Sequence, residues 1–517
     1  MSATALSTAS EIRPPVELHS GEALQPHPDL RIEALPRDEW DRWQQKAAQD
    51  GLFINAPDGP TQINVLPAVI DLSPQAYAEL ESRANVLAGA LTVAVDAIAN
   101  NPQYFREHGI LPSVSEGTGH PNEGQAQRFM LSDGDANEGI RIGRLDMFPI
   151  MKPDGRLSFQ AIEFNGRCVE GIGYTTVIDL HAAAAFDIDR EASAPTVAES
   201  IVQIARNAHA ERQLRLGEEA TDPQIGMVYW SSDRVKSVET PRVQKYAKDH
   251  GLADIAIGRP DALAAYPNEN GGLDVYIQEE DTGELRKLDV IYRNIGLHDF
   301  TYEVDGEIAS ADLFADIVLN PNRYNVTVVP GTRQGLAGYK SLFAVISDPR
   351  FEHVFTNAGF DREQLELARD SIGWSRMLNH LETDNPDLAM VLQDHTNYVI
   401  KHIAGAGGAD VVLGWSAGSL ERARVALGCN FDPGLIATDP QTAWKLILDR
   451  AREHGGYMVQ RKIEQLPLPG NAVMDIDPYI IEGQMGAVIS RIGTDHPVNV
   501  KQGGGMAPVN TARRSQT

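Results

Sequence analysis

The sequence predicts an α+β fold in which a sheet-containing body is joined to a small α/β domain and an N-terminal helical region. Three observations predict it. An Ala-, Leu- and Val-rich run between residues 73 and 100 carries both a helix start and a helix stop. Residues 140–165 read as two strand-like runs around Asp154-Gly155, a turn signal, and so as a β-hairpin. Between residues 222 and 335, strand and helix patterns alternate, as in a parallel sheet covered by helices.

Taken in order, residues 1–35 mix Ser, Thr, Pro, Glu and His without periodicity and are expected to form a flexible arm. Residues 36–134 form the helical region. Pro36–Gln49 is a short helix, and Ser73-Pro74-Gln75 opens a longer one that Asn100-Asn101-Pro102 stops. Residues 135–221 hold the hairpin and a helical stretch, Val177–Glu218. In the small domain, 222–335, strands are expected at Ile225–Trp230, Ala253–Ile257, Val275–Gln278, Leu288–Tyr292 and Asn325–Val329, with a helix at Glu239–His250. Residues 336–510 resume the body. A loop, Gly331–Gly338, runs into a helix opening near Lys340, and Asp361–His380, including Trp374-Ser375-Arg376, reads as helical. Tyr398–Ile403, a Gly-rich loop and Val411–Leu413 read as strand, loop, strand. Further strands are Gly456–Ile463 and an antiparallel pair, Tyr479–Met485 with Ala487–Ile492. Residues 511–517 are a polar tail.

Composition narrows the function. The chain has 517 residues, 45 basic and 72 acidic, for a net charge of −27. That balance argues against a general nucleic-acid or anionic-membrane binder, but a local basic pocket needs only a few cations. Cys168 and Cys429 are the only cysteines, which suits a reduced, cytosolic protein better than a disulfide scaffold or a zinc site. Met1–Ser20 lacks the pattern of a signal peptide, and the most apolar run, Ala84–Ala99, carries Asp96 and is short for a membrane span. A cytoplasmic protein acting on small molecules, without nucleic acid or membrane, is the expectation.

The hairpin carries the chemistry. If Asp154 and Gly155 are the central turn residues, Asp146 faces Glu163 and Arg144 faces Asn165, all on one face. Two carboxylates directly opposite repel, so something cationic must sit between them. Arg144 is one candidate, as a salt bridge to Glu163. A divalent metal is the other, because an Asp, a Glu and an Asn offer the hard oxygen ligands that suit Mg²⁺. Further along, Gly405-Ala406-Gly407-Gly408 has neither the Lys-Ser/Thr of a Walker A loop nor the third Gly of a dinucleotide fingerprint. It can still bring backbone N–H groups to phosphate oxygens, with Lys401 four residues before it. A hairpin tip with a surface lysine is the plain alternative. Lys340 and Arg491 read singly as solvated or rim charges. Cys168 has no pattern suggesting a base, and His120, His298 and His402 have no metal spacing.

Together these pieces resemble the circularly permuted ATP-grasp ligases, in particular the synthetase domain of the glutathionylspermidine synthase family. The resemblance covers roughly residues 135–510. It rests on the order of Arg144-Leu145-Asp146, Glu163-Phe164-Asn165, Gly338-Tyr339-Lys340, Trp374-Ser375-Arg376, Lys401 before Gly405, Gln460 before Leu466-Pro467, and Arg491. The family's Lys-Pro is Lys401-His402 here, and no cysteine amidase domain is present. The resemblance implies ATP and Mg²⁺ as cofactors, with Asp146, Glu163 and Asn165 holding the metal. It implies that Lys340, Lys401, Gly405, Gly407 and Gly408 hold phosphates, and that Gln460, Arg461, Lys462 and Ile463 form the adenine hinge. Arg144 and Arg491 would stabilise charge on the transferring phosphoryl group, and the Gly405–Gly408 hairpin would be the lid. On that reading residues 135–221 and 336–510 are the two parts of the ATP-grasp, flanked by the small domain.

The function implied is an ATP-dependent carboxylate–amine ligase, forming an amide through an acyl phosphate and releasing ADP and phosphate. Its partners are a small-molecule carboxylate and an amine. A small-molecule kinase on the same frame and a non-catalytic nucleotide-binding module are the alternatives.

Overall fold

A computed structural model of the chain describes residues 23–50, 52–56, 59–112, 123–132, 139–167, 169–229, 239–279, 282–297, 301–304, 307–381, 385–405, 411–493 and 504–512. It is a mixed α/β structure built on one large sheet. In order across the sheet, the strands are Ala23–His27, Leu30–Ala34, Ala68–Leu72, Gly505–Asn510, Gln484–Gly493, Val473–Ile481, Ile142–Met151 and Leu157–Asn165. The short Asn64–Val65 strand also pairs with Gly505–Asn510. The expected flexible arm is thus strand from residue 23 onward. Its apolar positions Leu30 and Ile32 are fully buried, which the mixed composition of the first 35 residues concealed.

Alternation along the strands separates two cores. Leu145, Met147, Ile476, Ile480, Val488 and Ile492 pack with the 27-residue helix Pro74–Asn100. Ser73 caps that helix, its hydroxyl accepting from the Ala76 N–H at 3.2 Å, and Pro74 opens it. By length and composition alone the helix could cross a membrane, but Leu80, Leu87, Leu91, Val95 and Ile98 are buried in this core. On the opposite face Ile142, Tyr479 and Ile489 meet the helices Ile172–Ala185 and Val197–Leu216. The expected single helical stretch is therefore two helices. The second starts with a capping box, Thr196 with Glu199.

The hairpin corrects its own expected geometry twice. The turn is not the two-residue Asp154-Gly155. Met151 pairs with Leu157, Lys152 and Arg156 close the loop by a 2.9 Å hydrogen bond, and Gly155 adopts φ +83°. That shifts the register by one. A bulge after Asp146 then shifts it back, so that Asp146 pairs with Glu163 and Arg144 with Asn165. The extra residue is Ile162. Leu157, Phe159 and Ala161 face the long-helix core before the bulge and Phe164 after it, leaving Glu163 and Asn165 on the side of Asp146.

The small domain holds a four-stranded parallel sheet: Ala256–Gly258, Ile225–Tyr229, Val290–Asn294 and Thr327–Val329. The strand expected at Val275–Gln278 belongs elsewhere, as the middle of a three-stranded antiparallel sheet. A second four-stranded sheet orders Ser375–Met377, Tyr457–Arg461, Tyr398–His402 and Val411–Leu413. Trp374-Ser375-Arg376 therefore enters a strand, not the expected helix, which ends at Asp370.

Buried Gln334 ties the hairpin to the segment that follows the last strand of the small domain's parallel sheet. Its Oε1 accepts from the N–H groups of Arg141 (2.9 Å) and Ile142 (3.2 Å). Its Nε2 donates to the carbonyls of Ile142 (2.7 Å) and Gly166 (2.9 Å). Gln334→Ala leaves these buried groups unpaired and is expected to cost about 2–4 kcal/mol. Urea denaturation measures it; a midpoint equal to wild type would show that the bonds contribute nothing.

Candidate active site

The site forms where the hairpin, the neighbouring strand pair and the smaller antiparallel sheet meet. Asp146 lies at its centre and is 1% exposed. Its Oδ1 accepts from Arg144 Nε (3.0 Å) and Asn165 Nδ2 (2.9 Å), and its Oδ2 accepts from an Arg491 terminal nitrogen at 2.7 Å. Burial opposes ionisation of Asp146, but the two guanidiniums outweigh it and hold the carboxyl well below the usual range. Glu163 is paired with Lys340, Nζ to Oε2 at 3.1 Å, and not with Arg144, the salt bridge that was one of the two alternatives for this face. The two opposed carboxylates thus each carry a cation from a distant segment.

Lys340 also donates to the Gly405 carbonyl at 2.6 Å, which places the start of the Gly-rich loop beside Glu163. Gly407 and Gly408, and with them most of the expected lid, lie outside the described residues, as do Cys168, His120 and His298. Lys401 is buried. It donates to the carbonyl of Ile162, the bulge residue, at 2.8 Å and to Gln460 Oε1 at 2.7 Å. Burial, reinforced by nearby Lys340, lowers its pKa to about 8 against the pull of Glu163 and Asp146. In the expected hinge, the N–H groups of Arg461 and Lys462 donate to the carbonyls of Trp374 and Asn397, both at 2.8 Å. Those two donors are committed within the protein. Lys462 Nζ lies 4.4 Å from the centroid of the Trp415 ring, and Ile463 is buried. Arg376 is held by Asp387 (3.1 Å) and Ser347.

Sequence reasoning missed a third and a fourth carboxylate. Asp475 lies directly opposite Arg491, and the pairings Ile476–Met147 and Tyr479–Arg144 set Asp477 beside Asp146. Glu163, Asp146 and Asp477 therefore run side by side across three strands. Asp477 lies 3.0 Å from Arg491 Nε and 3.9 Å from Arg144 Nε, yet neither of its oxygens accepts a hydrogen bond among the described residues. Asp146, Asp475 and Asp477 share the two guanidiniums, which leaves one negative charge in excess. Burial and the neighbouring carboxylates push Asp477 well above the usual range despite Arg491. The missed signal was an alternation of Asp475, Asp477 and Tyr479 in an otherwise apolar strand leading back to Arg491.

The donor set fits a hard divalent cation in part. Asp146, Glu163 and Asn165 present carboxylate and amide groups on one face. Among the described residues no group of three or more His, Cys, Asp or Glu side chains is placed to hold a metal alone. Any metal here would take its remaining oxygens from a ligand or water.

The outer wall is Tyr479 and the start of the Ile172–Ala185 helix. Arg144 donates to the Glu170 carbonyl at 3.1 Å, and Glu239 accepts from the N–H groups of Gly171 (3.0 Å) and Gly173 (3.3 Å). Burial and nearby Glu170 push Glu239 up to about 7 despite these bonds. A carboxyl whose folded pKa is raised costs the fold stability as pH climbs from its ordinary value of 4.5 through about 7. Glu239→Gln is therefore expected to flatten the fall in Tm over that window; an unchanged slope would remove Glu239 as its source. Asp477→Asn removes a buried carboxylate without hydrogen bonds and is expected to match or exceed the wild-type Tm at pH 7. A large fall in Tm would show that its charge holds the cluster together.

No protein-family model matches this chain, and no curated protein does. Among solved structures it is similar to a glutathione synthetase-like effector from Globodera pallida in its apo form. The TM-score is 0.51 at 12% identity, over 92% of this chain and 96% of that one. A putative gamma-glutamylcysteine synthetase from Methylobacillus flagellatus overlaps more loosely, with TM-score 0.34 and 10% identity over 79% of this chain and 83% of that one. At such identity the likeness speaks for the fold alone: a mixed α/β architecture matching a glutathione synthetase-like structure.

Proposed function

We propose that the chain is an ATP-dependent carboxylate–amine ligase on a circularly permuted ATP-grasp frame. The observation that carries this reading is a convergence. Lys340, Lys401 and Arg491, from three separated segments, join Arg144 at one hairpin bearing Asp146, Glu163 and Asn165. The fold it shares with a glutathione synthetase-like structure supports the reading.

Asp146, Glu163 and Asn165 would hold Mg²⁺, which when bound supplies positive charge to the phosphate oxygens of ATP. Lys340 and Lys401 would hold those phosphates. Lys401 is pre-aimed by the Ile162 carbonyl and Gln460, so little reorganisation is needed at the moment of reaction. Arg144 and Arg491 would stabilise the charge that develops as a substrate carboxylate attacks the γ-phosphate. The acyl phosphate so formed would be attacked by the amine, forming the C–N bond and releasing phosphate. Phosphoryl transfer of this kind is positioning and electrostatics, which is what the site is equipped to do.

The direct test is incubation with MgATP and pooled carboxylic acids and amines, read by mass spectrometry. ADP, phosphate and a condensed product that requires both pools is the expected result. ADP with a stable phosphorylated compound and no amine requirement would make it a kinase, and AMP with pyrophosphate would contradict the mechanism. Asp146→Asn should abolish Mg²⁺-dependent turnover with an unchanged circular dichroism spectrum, and near-normal turnover would sink the hairpin assignment. Lys401→Ala should weaken ATP binding roughly 10- to 100-fold, as expected for one charged hydrogen bond; unchanged affinity would take Lys401 out of the phosphate site.

A further inference from the structure

We propose that Asp475 is a positioning residue whose role is to hold the Arg491 guanidinium against Asp146; this rests on the function proposed above for Arg491. The two residues face each other on adjacent antiparallel strands. Asp475 Oδ1 accepts from the backbone N–H of Arg491 at 3.0 Å and from its Nε at 3.2 Å. Oδ2 accepts from Nε at 3.1 Å and from a terminal nitrogen at 2.6 Å. One carboxylate thus grips both the main chain and the head of the same arginine, which fixes the side chain between them. Asp475 is itself 1% exposed, and its carbonyl accepts from the Ser490 hydroxyl at 2.6 Å. Neither end of the clamp is free to follow the arginine.

The consequence follows from what an arginine is. Its side chain carries about 2 kcal/mol of rotamer entropy. Asp146 and Asp477 also attract Arg491, but of the three carboxylates only Asp475 accepts from its main chain as well as its head. Gripped by Asp475, the terminal nitrogen that bonds Asp475 also reaches Asp146 Oδ2, at 2.7 Å. Its place is then set by the fold before any ligand enters. Pre-ordering of this kind acts on the barrier to reaction and not on ground-state binding. A purely structural ion pair would show the opposite pattern, a loss of stability with turnover per folded molecule unchanged.

The test compares wild type with Asp475→Asn, which keeps the shape, and Asp475→Ala. Three readings are taken. Hydrogen exchange of the Arg491 Nε–H is followed by NMR on ¹⁵N-arginine-labelled protein, with the resonance assigned by Arg491→Lys. Binding of magnesium AMP-PNP is measured by calorimetry, and ADP release is measured with the substrate pair found in the pooled screen. In Asp475→Asn the Nε–H is expected to exchange at least about tenfold faster, and kcat to fall about 100-fold, with AMP-PNP affinity within about threefold of wild type. Unchanged exchange protection, or unchanged kcat, overturns the proposal. If Asp475→Ala does not fold, the Asn variant decides alone. If wild type binds no magnesium AMP-PNP, the ATP reading fails separately, and Arg491 exchange still accepts or rejects the clamp.

Discussion

Two carboxylates on neighbouring strands, at directly opposed positions, repel unless positive charge reaches both. Asp146 and Glu163 stand in that relation, and much of the molecule can be understood as the means of meeting it. Arg491 comes to Asp146 from the far side of the next strand pair, and Lys340 comes to Glu163 from the chain that leaves the small domain. The constraint spans more than three hundred residues of sequence between Asp146 and Arg491.

The sheet makes the arrangement feasible by dividing its two faces. Odd positions on one strand and even positions on its neighbour feed the long-helix core, while the alternate positions collect charge beneath the Ile172–Ala185 helix. Burying five ionised or ionisable groups in one patch is a poor way to stabilise a fold. Well-packed apolar residues in the same places are often as stable or more so. The cluster of Arg144, Asp146, Asp475, Asp477 and Arg491 is therefore better explained by chemistry that needs fixed charge than by stability. Lys401 belongs to the same logic: burial makes its charge costly, and the oxygens of Ile162 and Gln460 to which it donates are both neutral.

The heart of the site was legible because side chains alternate with a period of two, and Asp146 and Glu163 fall into opposition when the hairpin is folded on paper. That agreement conceals two compensating departures, a three-residue turn and a bulge, each worth one residue. Turn chemistry around Pro153-Asp154-Gly155 suits either loop length, and nothing in Ala161-Ile162-Glu163 marks a bulge. Asp475 and Asp477 were missed for a related reason. The turn joining their strand to that of Arg491 is Glu482-Gly483, both with positive φ, a few residues before the point where the apolar pattern suggests it. Placing the turn there sets Asp475 across from Ser490, and a register shift between Pro478 and Ile480 moves it one residue further, to Arg491. The N-terminal strands were hidden because each is only five residues long: Leu30–Ala34 does alternate, but so short a run does not stand out from the mixed composition around it. The seat of Trp374-Ser375-Arg376 was misjudged because a strand of three residues is too short to show any.

The bulge has one more consequence. Lys401 is anchored at Ile162 through a main-chain oxygen, and every residue type carries that oxygen. Position 162 can therefore drift among amino acids over evolution without disturbing the anchor, while deleting it would straighten the strand, leave Glu163 opposite Asp146, and take away the carbonyl that Lys401 uses. A comparison of relatives that scores side-chain identity would judge this position unimportant; one that scores insertions and deletions would find it among the most constrained in the chain.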